Sequence, residues 1–385
     1  MDRSYPININ LSKISTPCFV VNESALKHNL KILDEVQKRT GCKILLALKA
    51  FAMFSVFPLL RGTLHGICAS SPHEARLGRE EFQREVHVFA AAYSTTDMND
   101  LVGLADYIIF NSFSQWKRFR GYVEASPKTI CCGIRINPEH SEGAVPIYDP
   151  CAPFSRLGTI RKYFEPKSLD GISGMHFHNL CEQNADALKR TLKSLEAKFG
   201  EFLPGMKWVN FGGGHHITRR GYDLDLLCRL IQDFRDRYDV EVYLEPGEAV
   251  ALNAGILVAS VLDIVFNGKA IAILDTSAAT HMPDVLEMPY RPEIVGSGMP
   301  EEYPYSYRLA GISCLAGDVI GDYSFPSPLE IGQKLIFLDM AHYTMVKTTT
   351  FNGINLPAIG LYNSETNQFG IIRKFGYEDY KNRLS

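Results

Sequence analysis

No stretch of the 385-residue sequence approaches the ~20 consecutive apolar residues that a membrane-spanning helix needs. Met1 to Asn10 holds no apolar core of a secretory signal, so a cytoplasmic location is expected. Excess charge of one sign is lacking as well. The 40 Lys and Arg stand against 43 Asp and Glu, a net charge of −3. That balance gives no general pull toward nucleic acid or an anionic membrane, and neither is expected as a partner. The nine cysteines are scattered, with no Cys-x-x-Cys spacing and an odd count. This speaks against a disulfide frame or a zinc finger and for reduced thiols. Low-complexity tracts and short repeats are missing too. What remains is an ordinary globular composition, 46% apolar and 22% charged. The length suits two domains, or one barrel with an appendage.

Apolar runs lie at Cys18–Val21, Lys43–Leu48, Gly66–Ser70, Val86–Ala90, Tyr107–Asn111, Cys131–Ile136, Ile172–Phe177, Lys207–Phe211 and Val240–Leu244. Amphipathic stretches separate most of them, among them Glu23–Thr40, Gln183–Phe199 and Asp223–Tyr238. Strand–helix alternation with continuously apolar strands predicts a parallel sheet. Eight or nine such units fit an α/β fold of the (β/α)8-barrel type better than an open sheet. Near residue 255 the pattern changes. Ile256–Phe266, Ala270–Leu274 and Lys334–Leu338 read as strands, with Gly- and Pro-rich turns between them. The expected organisation is a barrel over residues 17–255, followed by a mostly antiparallel β domain over 256–385, which residues 1–16 join. The Pro-containing segment 144–162 suggests no role.

In a barrel, chemistry gathers at the C-terminal ends of the strands. Lys49 follows the run Lys43–Leu48. It reads either as a Schiff-base lysine or as a strand-end lysine that snorkels to water. Gly212, Gly213 and Gly214 follow Lys207–Phe211 and form either a phosphate cradle or a tight turn. Glu245 and Glu248 follow Val240–Leu244 within Glu-Pro-Gly-Glu. Glu245 is then a buried acid paired with a cationic ring nitrogen, or a solvated strand-end carboxylate. His176 and His178 stand two apart, so on a strand they share a face. With His215 and His216 they also suit a metal-dependent barrel hydrolase.

Together these residues resemble the fold type III pyridoxal phosphate (PLP) decarboxylases, the alanine racemase-like group. The matching positions are Lys49 in Leu-Ala-Leu-Lys-Ala, His178 in His-Phe-His-Asn, Phe-Gly-Gly-Gly at 211–214 and Glu-Pro-Gly at 245–247. Cys314 with Gly317-Asp318, and Tyr343 in Ala-His-Tyr-Thr, complete the set. They occur in the family's order. The resemblance implies that Lys49 joins PLP as a Schiff base and that His178 stacks on the ring. It implies that Gly213, Gly214 and Tyr343 hold the phosphate and that Glu245 keeps the ring nitrogen protonated. It also implies that Cys314, reaching in from the partner of a homodimer with shared active sites, helps protonate the product carbon.

Two departures from the ornithine and diaminopimelate enzymes stand out. Glu248 occupies a place that is usually arginine, and Leu315 one that is commonly acidic. Within the family the resemblance runs most strongly to the branch that decarboxylates carboxynorspermidine and carboxyspermidine to norspermidine and spermidine. Its carboxylated polyamine substrate carries cationic amines, for which Glu248 and Asp284 are the candidate partners. Asp318 joins them in the expected substrate-binding set. Three alternatives stay open: a decarboxylase of diaminopimelate, ornithine or arginine, the metal-dependent hydrolase, and a non-catalytic PLP carrier. The β domain speaks against the last.

Overall fold

The computed structural model describes residues 9–143 and 145–385. Residues 1–8, part of the segment expected to join the β domain, lie outside the described residues. Strand β1 (Cys18–Asn22) leads into helix α1 (Glu23–Thr40). Eight parallel strands then close a barrel: β2 (Lys43–Ala47), β3 (Gly66–Ala69), β4 (Glu85–Phe89), β5 (Tyr107–Phe110), β6 (Cys131–Arg135), β7 (Ile172–His176), β8 (Trp208–Asn210) and β9 (Glu241–Leu244). Each pairs with the next, and β9 returns to β2 through Lys43↔Tyr243 and Ile44↔Leu244. Their apolar runs are continuous because a parallel strand in this setting is covered on both faces.

The intervening helices are α2 (Phe57–Leu60), α3 (Pro72–Leu77), α4 (Thr95–Leu104), α5 (Phe113–Glu124), α6 (Ala185–Phe199) and α7 (Leu224–Tyr238). Several start where a loop side chain accepts a first-turn N–H that the helix leaves unbonded. Ser71, Ser94, Ser112 and Asp223 cap α3, α4, α5 and α7 in this way. The stretch between β6 and β7 carries only short 3-10 turns among its described residues, with Ile147 and Phe154 exposed.

Two glycines shape the barrel interior. Trp208 points inward from β8 and is nearly fully buried. A Cβ on either Gly133 of β6 or Gly174 of β7 would overlap its ring. The indole occupies the volume that two absent side chains leave, and a cluster of Leu45, Ile109 and Tyr243 packs around it.

A second sheet is built from β10 (Gly255–Phe266), β11 (Ala270–Leu274), β12 (Tyr305–Ala310), β13 (Val319–Phe325), β14 (Lys334–Leu338), β15 (Ala358–Asn363) and β16 (Gln368–Arg373), together with β1. The order is β13-β12-β11-β10-β1-β15-β16, and β14 also pairs with β10. Only β1–β15 and β11–β12 are parallel, so the sheet is mostly antiparallel, as expected. The twelve residues of β10 serve β1 and β14 with their first half and β11 with their second. The run Cys18–Val21, read from sequence as a barrel strand, belongs here instead. Its buried Cys18 and Val20 pack with Ile256, Val258 and Tyr362. A short apolar run does not state which sheet it joins, so the barrel strands begin at Lys43. By contacts the chain forms two compact units, Asn29–Val250 and Ala251–Ser385 with the residues through His28. Among the described residues no helix is long and apolar enough to cross a membrane.

Candidate active site

The C-terminal ends of the barrel strands form a cavity lined by Lys49, Cys68, Phe89, Arg135, His176, His178 and Glu245. Lys49 stands two residues past β2, in a turn where the amides of Ala50 and Phe51 both donate to the Ala47 carbonyl at 3.0 and 3.2 Å. The turn lifts the lysine out of the core, and it is exposed. The Glu-Pro-Gly segment lies against the same turn. The Ala47 amide donates to the Pro246 carbonyl at 3.2 Å, and a Cβ on Gly247 would come within 2.9 Å of the Ala47 methyl. Glycine at 247 is therefore the condition for bringing Glu245 and Lys49 into one cavity.

Glu245 follows β9 directly. Its Oε1 accepts from Asn210 Nδ2 at 2.7 Å, and its Oε2 from His176 Nε2 at 3.2 Å. Burial pushes this carboxyl up, but the imidazoles of His176 and His87 and the Asn210 amide outweigh burial and hold it at about 2. Burial also pushes His176 down, and Glu245 raises it only in part. The pair is thus an ionised carboxylate accepting an N–H from the imidazole.

His176 and His178, expected to share a face, both line the cavity, although β7 itself ends at His176. His178 lies in the following loop, where its Nδ1 accepts from the Gly213 amide at 2.8 Å. A backbone N–H only donates, so Nδ1 is bare and the ring proton sits on Nε2. Burial, then the charges of Lys49 and Arg135, push His178 well below the usual histidine range. It is a flat, neutral ring. The bond also commits the Gly213 amide, which the sequence reading had assigned to phosphate. Close backbone approach accounts for the glycine run: a Cβ on Gly213 would overlap the Glu245 carbonyl, and one on Gly214 the Leu180 carbonyl. Gly212 and Gly214 also take left-handed φ values of +70° and +81°.

Glu248 opens α8 (Glu248–Ala251). His216 Nε2 lies 3.1 Å from its Oε2, at ion-pair distance but out of hydrogen-bonding alignment. His216, weighed as a metal ligand, is therefore set beside a carboxylate. His215 is buried, and burial lowers it to about 4, with the Phe211 backbone opposing. Among the described residues no three His, Cys, Asp or Glu side chains gather in a metal-ligating group.

Sequence reasoning missed Arg135 and Asn210. Arg135 ends β6 and is almost fully buried. Its Nη2 donates to the His178 carbonyl at 3.0 Å, and its guanidinium stands 4.4 Å from the centre of the Phe89 ring. Burial lowers it to about 10, with Glu245 opposing, so it stays cationic at neutral pH. The signal was present, since an arginine inside the apolar run Cys131–Ile136 needs a buried partner.

The other expected site residues lie in the second unit. Cys314 is exposed, and its amide donates to Asn352 Oδ1 at 2.8 Å. Asp284 accepts at Oδ2 from Tyr290 OH and Thr344 Oγ1, at 3.1 and 3.0 Å. Tyr343 has φ +50°, a left-handed backbone that bulky residues seldom take. Asp318, read from sequence as substrate-binding, is a correction. It is buried, and its two oxygens accept from Ser277 Oγ, the Ala278 and Ala279 amides, and the amide and hydroxyl of Ser313. A carboxylate with five internal donors organises the loop that carries Cys314 and has little capacity left for a ligand.

This donor set fits pyridoxal phosphate. An exposed amine suits the aldehyde, an ionised carboxylate the ring nitrogen, a neutral imidazole the ring face, and a loop without Cβ atoms the phosphate. The comparisons with known proteins agree. The family model described as pyridoxal-dependent decarboxylase, C-terminal sheet domain, matches residues 18–341. A carboxyaminopropylagmatine decarboxylase of Synechocystis is 46% identical over 99% of both chains. A carboxynorspermidine/carboxyspermidine decarboxylase of Campylobacter jejuni is 43% identical over 96% of this chain and 99% of its own. The crystal structure of the C. jejuni carboxynorspermidine decarboxylase complexed with norspermidine superposes with a TM-score of 0.89, at 42% identity, covering 96% of this chain and all of that one. With five sixths of its length inside the family model and close relatives along nearly all of it, the chain belongs to the pyridoxal-dependent decarboxylases.

Proposed function

We propose that this decarboxylase acts on a carboxylated polyamine, carboxynorspermidine or carboxyspermidine, and releases norspermidine or spermidine. The observation that carries the reading is Glu248. The position is usually arginine in the ornithine and diaminopimelate enzymes of the family, and here it presents a carboxylate held beside His216. A carboxylate attracts a chain of ammonium groups and repels one that ends in a second carboxylate, as in diaminopimelate. The names of the C. jejuni relatives support the same substrate. A second reading, carboxyaminopropylagmatine, is favoured by the Synechocystis relative. Its agmatine end offers a guanidinium instead of an ammonium, and Glu248 suits either cation.

Bound pyridoxal phosphate supplies the electron sink for the pair left when CO2 departs. Lys49 Nζ is the amine that would hold the cofactor. Glu245, ionised at neutral pH, would accept from the N–H of its ring. His178 would lie on the ring face, and the Gly214 amide with the Tyr343 hydroxyl would meet the phosphate. Asp284 would join Glu248 in binding the substrate amines. Cys314, from the second copy of a cytoplasmic homodimer, would deliver a proton to the product carbon. The nine free cysteines suit a reducing compartment.

The test is a substrate panel on the holoenzyme, with the amine products identified by mass. A carboxypolyamine is expected to be consumed far faster than diaminopimelate, ornithine or arginine; the opposite order would overturn the reading. Glu248→Gln is expected to raise KM for the carboxypolyamine by about tenfold, the worth of one charge-assisted hydrogen bond, and an unchanged KM would remove Glu248 from the substrate site.

A further inference from the structure

Branched apolar side chains usually fill the interior layers of a closed parallel barrel. Here one layer is ionisable. Lys43 Nζ of β2 lies 2.9 Å from Glu241 Oε1 of β9 and 3.4 Å from Glu85 Oε1 of β4. Tyr243 donates its hydroxyl to Glu241 Oε2 at 2.9 Å and lies 3.0 Å from the Tyr107 hydroxyl. One ammonium thus faces two carboxylates where the strands begin, with the three side chains 24–36% exposed.

His87 stands beside this layer. It is fully buried in mid-strand β4, and its Nε2 donates to Glu85 Oε2 at 3.1 Å. Its ring stacks on Tyr107 with centroids 3.9 Å apart and planes 8° from parallel. Its Nδ1 has no hydrogen-bond partner among the described residues. Two links lead from it to the site. Phe89, two residues along the same face of β4, packs on the His176 ring at 5.5 Å, and His176 donates to Glu245. Tyr243, two residues before Glu245 on β9, lies 4.8 Å from the His87 ring. The imidazole is also among the groups that hold the Glu245 carboxyl down.

We propose that His87 is a positioning residue for the decarboxylation: through Tyr243 and Phe89 it keeps Glu245 aligned with His176. This rests on the reading of Glu245 as the partner of the cofactor ring nitrogen. His87 touches neither cofactor nor substrate. The groups that face it are Glu85, Tyr107 and Tyr243, with Lys43 and Glu241 behind them and Glu245 above.

The experiment compares holoenzyme carrying His87→Leu, His87→Gln or Glu245→Gln with the unaltered holoenzyme. Two quantities are read: the midpoint of the pH titration of the bound cofactor's absorbance, and kcat separately from KM. Without His87 the carboxylate is less well held, so the ring gives up its proton more readily. The midpoint for His87→Leu is expected to fall, and kcat to drop about 10-fold or more, as for other residues that orient a ligating side chain, with KM within about twofold. His87→Gln, which keeps an N–H for Glu85 but lacks the ring, is expected to show a smaller shift in the same direction. It decides the matter if the leucine variant does not fold. A wild-type midpoint and kcat in whichever His87 variants fold, alongside a strong effect of Glu245→Gln, would overturn the proposal and leave Glu245 standing. A Glu245→Gln enzyme with wild-type spectrum and rate would overturn both.

Discussion

At the scale of single residues, burial sets the charge of the cavity's histidines, and hydrogen-bond donors override burial at Glu245. The Glu245 side chain is only 10% exposed, yet it stays ionised because two N–H donors face it. His178 stays neutral because burial pushes it down, with the charges of Lys49 and Arg135 adding to the effect and the Gly213 amide donating to one nitrogen. Lys49 is exposed because the tight turn after β2 lifts it out of the core to the cavity. Lys49→Ala is therefore expected to keep the fold but lose both decarboxylation and the absorbance of protein-bound cofactor after borohydride treatment. A stable reduced adduct on another lysine, found by peptide mapping, would move the attachment site. Lys49, His178, Glu245 and the glycine run could be read from sequence because they follow apolar runs at points where the chain must turn. Arg135 left a signal of the same kind, an arginine within an apolar run, whereas Asn210 and His87 did not. Asn210 closes the short strand β8 within an apolar run and His87 lies mid-strand in β4, and which face of a strand meets a cavity is settled only when the barrel closes.

At the scale of elements, the strands and capped helices follow local rules. Ser71, Ser94 and Ser112 each begin a helix where a short polar side chain can bond to a free N–H. The helices read at Gln183–Phe199 and Asp223–Tyr238 appear as Ala185–Phe199 and Leu224–Tyr238. In both, the first residues of the reading are loop or cap. Pairing partners are a different matter. Cys18–Asn22 is as apolar as any barrel strand, yet it pairs with β10 and β15. The inward glycines of β6 and β7 look like weak points in a strand until Trp208 is seen to fill their space. Gly174→Ala is expected to destabilise the protein by about 1–3 kcal/mol, the usual range for overpacking a well-filled core. Thermal unfolding would register the loss, and Trp208→Leu in the same chain should recover part of it. An unchanged midpoint in the single variant would mean that the ring has room to move.

At the scale of the whole molecule, buried neutral histidines link stability to pH. Burial lowers His215 and His281 to about 4, and it lowers His176 and His178 as well. In the unfolded chain these rings take up protons near pH 6.5. Below that pH the unfolded state binds more protons than the folded one, so stability falls as pH falls. Glu245 acts in the same direction further down. Its folded value near 2 lies below the ordinary carboxyl, so its contribution is present above about pH 4.3 and is lost as pH drops toward 2. Unfolding temperatures measured from pH 7 to pH 4 should decline steadily, and His215→Phe should flatten the slope. A level profile over that interval would show that these rings stay neutral in both states.

Sequence by itself determined the alternation that makes a barrel, the antiparallel character of the strands after residue 255, and the residue types that stand at strand ends. Those follow from periodicity, chain turns and side-chain chemistry, all of which act between near neighbours. Tertiary structure alone decided that β1 leaves the barrel, that His216 sits beside Glu248, that Asp318 serves its own loop, and that an ionisable layer lies beneath Glu245. Each of these is an encounter between residues far apart in the chain, and only a closed fold sets which polar group must satisfy which.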